Sequence, residues 1–160
     1  METTADGRHR IQVRRIMPAP REIVYEAWTD PKGLREWMCP GDVISAEATL
    51  DVRVGGSFRI TMRSKERVHE HIGTYHIVEP PAKLSFTWSG IDNPREITLV
   101  TVEFLDHGEA SELVITHEGF TNSDIAQRYE MGWGTIAHKF ALYLTRSANP
   151  ATRAIQPNLR

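Results

Sequence analysis

The sequence predicts an α+β fold in which a curved antiparallel sheet of six to seven strands wraps around one long C-terminal helix. Three observations carry that prediction. Thr121 to Arg146 is the one strongly helical run, with Ile125, Tyr129, Trp133, Ile136, Phe140 and Leu144 three or four residues apart and so on one face. From Asp42 onward, short runs alternate apolar and polar residues between turn signals, which is the period of half-buried strands. Finally, an open sheet must cover its apolar face, and a helix of roughly 36 Å at 1.5 Å per residue is the only element long enough. Curving the sheet around that helix leaves a hollow between them, and the hollow is the candidate site.

In chain order, residues 1–7 are expected to be disordered, residues 8–147 form one domain, and 148–160, with Pro150 and Pro157, form a tail. His9 to Met17 reads as a strand. In PAPREIVYEAWTDPKGLREWM the period changes: Pro20 suits a first helical position, and Ile23, Val24, Ala27 and Trp28 make an apolar face. Asp30 and Pro31 end that helix and begin a second one through Leu34 and Trp37. Val43 to Leu50 is a strand, and the turn at Val54 to Gly56 leads into the clearest alternation, Phe58, Ile60 and Met62. His69 to Val78 follows and stops at Glu79, Pro80 and Pro81. Leu84, Phe86 and Trp88 share one face of the next strand, which the loop Gly90 to Pro94 breaks. Val100, Val102 and Phe104 alternate, as do Leu113, Ile115 and His117 after the turn Asp106 to Ala110. Thr121, Asn122 or Ser123 can cap the long helix. Within it Gly132 and Gly134 bracket Trp133, each costing about 1 kcal/mol against alanine. They mark either a kink or close helix–sheet contact, or room for a ligand beside Trp133.

Composition narrows the function classes. One hundred and sixty residues suit a single domain, and a formal charge of −2 supplies no general attraction to nucleic acid or an anionic membrane. No apolar run approaches a membrane span and METTADGRHR lacks a signal-peptide core, so the expected location is the cytoplasm. The single Cys39 excludes an internal disulfide and a multi-cysteine metal site, and reads as an inert, partly buried thiol.

No catalytic constellation is visible. There is no GxSxG, and no spacing pairs two carboxylates. His69 and His71 lie on one side of a strand and could begin a zinc site, but no third ligand is identifiable, so neither metal nor cofactor is expected. His117 follows Leu113 and Ile115 on an inward face; it is either a hydrogen-bonded structural histidine or a donor or general base in the hollow. Tyr75 is the other candidate for proton transfer. The residues expected to line the hollow are Trp28, Trp37, Phe58, Ile60, Met62, Trp88, Val102, His117, Tyr129 and Trp133. Aromatic walls with a few polar tips are the usual makeup of a small-molecule pocket.

PAPREIVYEAWTDPKGLREW, the GGSF at Gly55 to Phe58, GTYHIVEPPAKLSFTW at Gly73 to Trp88, THEGF at Thr116 to Phe120 and the Gly132–Trp133 pair resemble the helix-grip (START-like, SRPBCC) superfamily. More narrowly, they resemble single-domain bacterial proteins named after the C-terminal domain of the activator of Hsp90 ATPase. The resemblance spans about Ile11 to Leu144. It implies a seven-stranded sheet around a long helix with an internal cavity, in a superfamily that includes lipid carriers, polyketide cyclases and antibiotic-sequestering proteins. It also implies a homodimer among the expected assemblies, since relatives of this type often form one. Fold alone does not choose among those functions. Three readings stay open: binding of a hydrophobic or aromatic small molecule without covalent chemistry, an enzyme of cyclase, dehydratase or hydrolase type using His117 or Tyr75, and a co-chaperone-like interaction with an Hsp90-type chaperone.

Overall fold

Every strand-period segment joins one antiparallel sheet, and every helix-period segment lies against it. The computed structural model describes residues 1–148. In order these are β1 (Glu2–Thr3), β2 (His9–Met17), α1 (Arg21–Trp28), α2 (Pro31–Trp37), β3 (Ser45–Leu50), β4 (Ser57–Arg63), β5 (Val68–Glu79), β6 (Lys83–Gly90), β7 (Asn93–His107), β8 (Ala110–Phe120) and α3 (Ser123–Ala148). The strands follow the order β1-β2-β8-β7-β6-β5-β4-β3, so the second strand of the chain sits beside the last. The tail expected over 148–160 lies, beyond Ala148 at the end of α3, outside the described residues.

The sheet has eight strands rather than six or seven. The additional one, β1, falls in the stretch expected to be disordered. Glu2 and Thr3 pair with Arg10 and His9 through a turn in which Thr4 N–H donates to Arg8 O (2.7 Å) and Gly7 adopts φ +82°. Backbone pairing onto a free edge makes this strand, so no apolar pattern announces it. The loop foreseen at Gly90 to Pro94 also contracts. Gly90 pairs with Asn93, leaving two turn residues, and β7 runs for 15 residues with Pro94 at its exposed end.

The tandem helices form where the period changed. Pro20 is the extended N-cap residue of α1 rather than its first helical position, and Tyr25 is buried while Ile23 is 50% exposed. Asp30 caps α2 by accepting the Lys32 N–H at 3.0 Å, with Pro31 at the first helical position. Asn122 caps α3, its side-chain oxygen accepting from the N–H groups of Asp124 (2.8 Å) and Ile125 (3.1 Å). Of the apolar stripe on α3, Trp133, Ile136, Phe140 and Leu144 are buried, whereas Ile125 in the first turn is on the surface. Inside the sheet the aromatic rows demand tight spacing. A side chain at Gly73 would collide with the Thr87 carbonyl and the Phe58 ring, so β5 passes this point only as glycine.

Under α1 and α2 aromatic rings pack closely on one another. Trp37 packs on Phe140 with ring centroids 4.3 Å apart and on Trp28 at 4.9 Å, while Tyr25 meets Phe104 edge-on at 5.3 Å. Trp28 in turn stacks on Trp133 at 6.3 Å, linking this cluster to the other half of α3. Rings in these offset and edge-on arrangements add to the burial that already holds helix to sheet.

Candidate ligand cleft

Beyond Trp133 the filling stops. A cleft of about 480 Å³ opens between the first half of α3 and the inner face of the sheet. Met62 of β4, His69 and His71 of β5 and Trp88 of β6 form one wall. They share a face because Met62 is opposite His69 and Ile60 opposite His71 in the β4–β5 register. Tyr129, Gly132, Trp133 and Ile136 form the other wall, with Arg128, Met131 and Thr135 toward the mouth. Pro40, Gly41, Asp42 and Val43, in the segment between α2 and β3, close one side. Lys139 holds that segment to α3, its ammonium donating to the Cys39 carbonyl at 2.6 Å. Cys39 itself is buried, and burial pushes its thiol pKa up, away from thiolate chemistry.

The glycines of α3 divide. A Cβ on Gly132 would sit 3.5 Å from the Pro40 side chain across the cleft, and one on Gly134 would meet nothing within 4 Å. Gly132 therefore faces Pro40 at side-chain contact distance and Gly134 faces open space, while no close helix–sheet approach requires either residue.

Of the ten residues expected at the hollow, Met62, Trp88, Tyr129 and Trp133 line this cleft. Trp28 and Trp37 lie instead in the aromatic cluster under α1 and α2. Phe58, Ile60 and Val102 are core residues behind the wall, Phe58 packed among Tyr75, Phe86 and Trp88. Periodicity placed them on the inward face, and they are on it; which inward residues border empty space depends on the lengths of neighbouring side chains.

His117 is sealed from solvent and fully committed. Trp133 Nε1–H donates to its Nδ1 at 3.0 Å, and its Nε2 lies 2.6 Å from the Thr98 hydroxyl. Indole N–H can only donate, so Nδ1 must accept and Nε2 carries the proton, given to Thr98. Thr98 then donates to the Trp88 carbonyl at 3.1 Å. This chain ties α3 to β8, β7 and β6 and fixes the Trp133 ring that forms the cleft wall. Burial, reinforced by the neighbouring His71, pulls the His117 pKa down to about 3, so the ring is neutral. Both nitrogens are engaged, which fits the structural reading of His117. Tyr75 is likewise buried, between Phe58 and Phe86, with its phenol pKa raised by burial, and it does not line the cleft.

The residue that sequence reasoning weighed only as a metal ligand is His71. Its ring stacks on Trp88 with centroids 4.6 Å apart and planes 22° from parallel, and burial lowers its pKa to about 4. Its spacing with His69 placed it on this face. Among the described residues no three His, Cys, Asp or Glu side chains cluster in a way that could hold a metal ion. Nor is any helix among them long and apolar enough to cross a membrane.

A sheet curved around a C-terminal helix, with paired short helices closing one end and an aromatic cleft at the other, defines a helix-grip protein of the SRPBCC class. Within that class the chain belongs to the activator of Hsp90 ATPase homolog 1-like family, whose model matches residues 18–145. Solved structures agree on the fold. The AHSA1 protein from Silicibacter pomeroyi superposes with a TM-score of 0.75 at 20% identity, over 87% of this chain and 99% of that one. Protein CV1439 from Chromobacterium violaceum gives 0.74 at 23% identity, over 84% and 96%. CalU16 from Micromonospora echinospora gives 0.67 at 21% identity, over 98% and 87%. Comparison with the curated proteins finds no match.

Proposed function

We propose that this protein binds an apolar or aromatic small molecule in the cleft between α3 and the β4–β6 wall, without covalent chemistry. The observation that carries the reading is the cleft itself, with a volume of about 480 Å³ and walls of Met62, Trp88, Tyr129, Trp133 and Ile136. That volume lies within the range of small-molecule sites, and a lining of apolar and aromatic side chains with few polar groups is their usual makeup. The enzyme reading loses its named residues, because His117 spends both nitrogens inside the wall and Tyr75 sits in the core.

Titrating the protein with naphthalene while following side-chain NMR signals tests the binding reading. Shifts centred on Trp88, Tyr129 and Trp133 are the expected result, and shifts elsewhere or none at all would count against it. The family's description also supports an Hsp90-directed reading. A bacterial Hsp90 whose ATPase rate is unchanged by excess protein would remove it.

A further inference from the structure

Two polar groups on the cleft wall, the Tyr129 hydroxyl and the His71 imidazole, have no acceptor for a proton among the described residues. The Tyr129 hydroxyl accepts the Trp88 indole N–H at 3.2 Å, which occupies its oxygen and leaves its own proton without an acceptor among the described residues. Among the described residues His71 has no hydrogen-bond partner at either nitrogen: Nδ1 is sealed away from solvent, whereas Nε2 is not. Burial keeps this imidazole neutral, so it carries one N–H. Sealing an N–H without an acceptor forfeits the bond that water made to it, so we assign the lone pair to Nδ1 and the proton to Nε2. Both donors are anchored on one indole, His71 by stacking on Trp88 and Tyr129 by its bond to Trp88 Nε1. At the mouth Arg128 adds further donors and has no ion pair among the described residues; Asp42, on the opposite rim, is the one carboxylate.

We infer that the cleft selects a flat aromatic molecule bearing a carbonyl oxygen, whose ring lies against Trp88 and Trp133 and whose oxygen accepts from the Tyr129 hydroxyl and the His71 imidazole. The inference rests on the binding reading above and sharpens it to a chemical class. A purely hydrocarbon guest would take the tyrosine proton and the imidazole N–H out of water without replacing the bonds that water makes to them. A guest rich in donors would present hydrogens to hydrogens. An acceptor at this edge satisfies both groups and leaves the rest of the guest on apolar surface.

The test uses two probes of nearly the same shape, 2-acetylnaphthalene and 2-isopropenylnaphthalene, titrated by calorimetry into the full chain. With the carbonyl accepting from both donors, the ketone binds about fivefold to a hundredfold more tightly, the ratio two net hydrogen bonds supply. In Tyr129→Phe and in His71→Leu that ratio falls by about threefold to tenfold each, the share of one bond. Equal affinities in the unaltered protein, or a ratio that survives both substitutions, would overturn the inference and leave apolar binding standing. Failure of both probes to bind would overturn the binding reading and this one with it. The comparison in the unaltered protein needs no variant to fold.

Discussion

Both halves of α3 press aromatic side chains toward the sheet, yet the first half borders a cleft and the later half packs against rings from two further helices. Around Phe140 the helices α1 and α2 supply Trp28 and Trp37, and the rings meet at 4.3 to 5.6 Å. Around Tyr129 and Trp133 the short helices contribute Trp28 alone, stacked on Trp133, the linking segment Pro40 to Val43 closes one side, and Gly132 withholds a side chain. The same sheet and the same helix thus make a closely packed aromatic cluster at one end and a cleft at the other. The difference teaches that the cleft is set by where the short helices stop. The grip of sheet on helix is common to both halves.

Truncation should separate the two ends most sharply. Phe140→Ala should cost about 3–5 kcal/mol, read by urea denaturation, because the space it leaves is walled on all sides and cannot collapse. Met62→Ala, at the cleft, should cost about 2 kcal/mol, since solvent already reaches the space beside it. Equal losses at the two positions would mean that the cleft end is as closely packed as the other.

Acid should act on the cleft end. His117 and His71 titrate near 3 and 4 when folded, against an ordinary value of 6.5. The unfolded chain therefore binds protons that the folded one refuses, and stability is full above about pH 6.5 and falls as pH drops toward 3. Denaturation midpoints measured across that interval should slope downward into acid, and His71→Gln or His117→Gln should each make the slope shallower. At neutral pH, His117→Leu should cost about 1–3 kcal/mol by leaving the buried Trp133 N–H unpaired, with a shifted indole N–H resonance as its signature.

The smallest effects concern the glycines. Gly134→Ala should stabilise the protein by up to about 1 kcal/mol, because its added methyl meets nothing and the helix gains propensity. Gly132→Ala should gain about as much in thermal denaturation, yet weaken binding of naphthalene because its methyl projects toward Pro40 across the cleft. A gain at Gly134 with a loss of stability at Gly132 would mean that Gly132 is required for packing.

Much of the fold was legible in the chain. The stripe from Tyr129 to Leu144, the alternation at Phe58, Ile60 and Met62, and the break at Asp30 and Pro31 gave the long helix, the half-buried strand and the tandem helices within a few residues. Less legible were β1, which carries no apolar signal, and the first two residues of the long β7, Asn93 and Pro94, which look like a turn. For the site, sequence placed Met62, Trp88, Tyr129 and Trp133 correctly on inward faces beside the helix. It treated Trp28 and Trp37 as equivalent to them, and it saw in His71 only a metal ligand.

Sequence by itself determined which side chains face inward, because strand and helix periods are properties of the local backbone and survive any arrangement of neighbours. It determined equally that an apolar sheet face needed the C-terminal helix to cover it. Only the tertiary structure decided which inward residues touch one another and which border open space. That choice depends on where α1 and α2 lie over the sheet and on how Trp133, His117 and Thr98 link up across segments far apart in the chain. No pattern within a single segment encodes a distance between two of them.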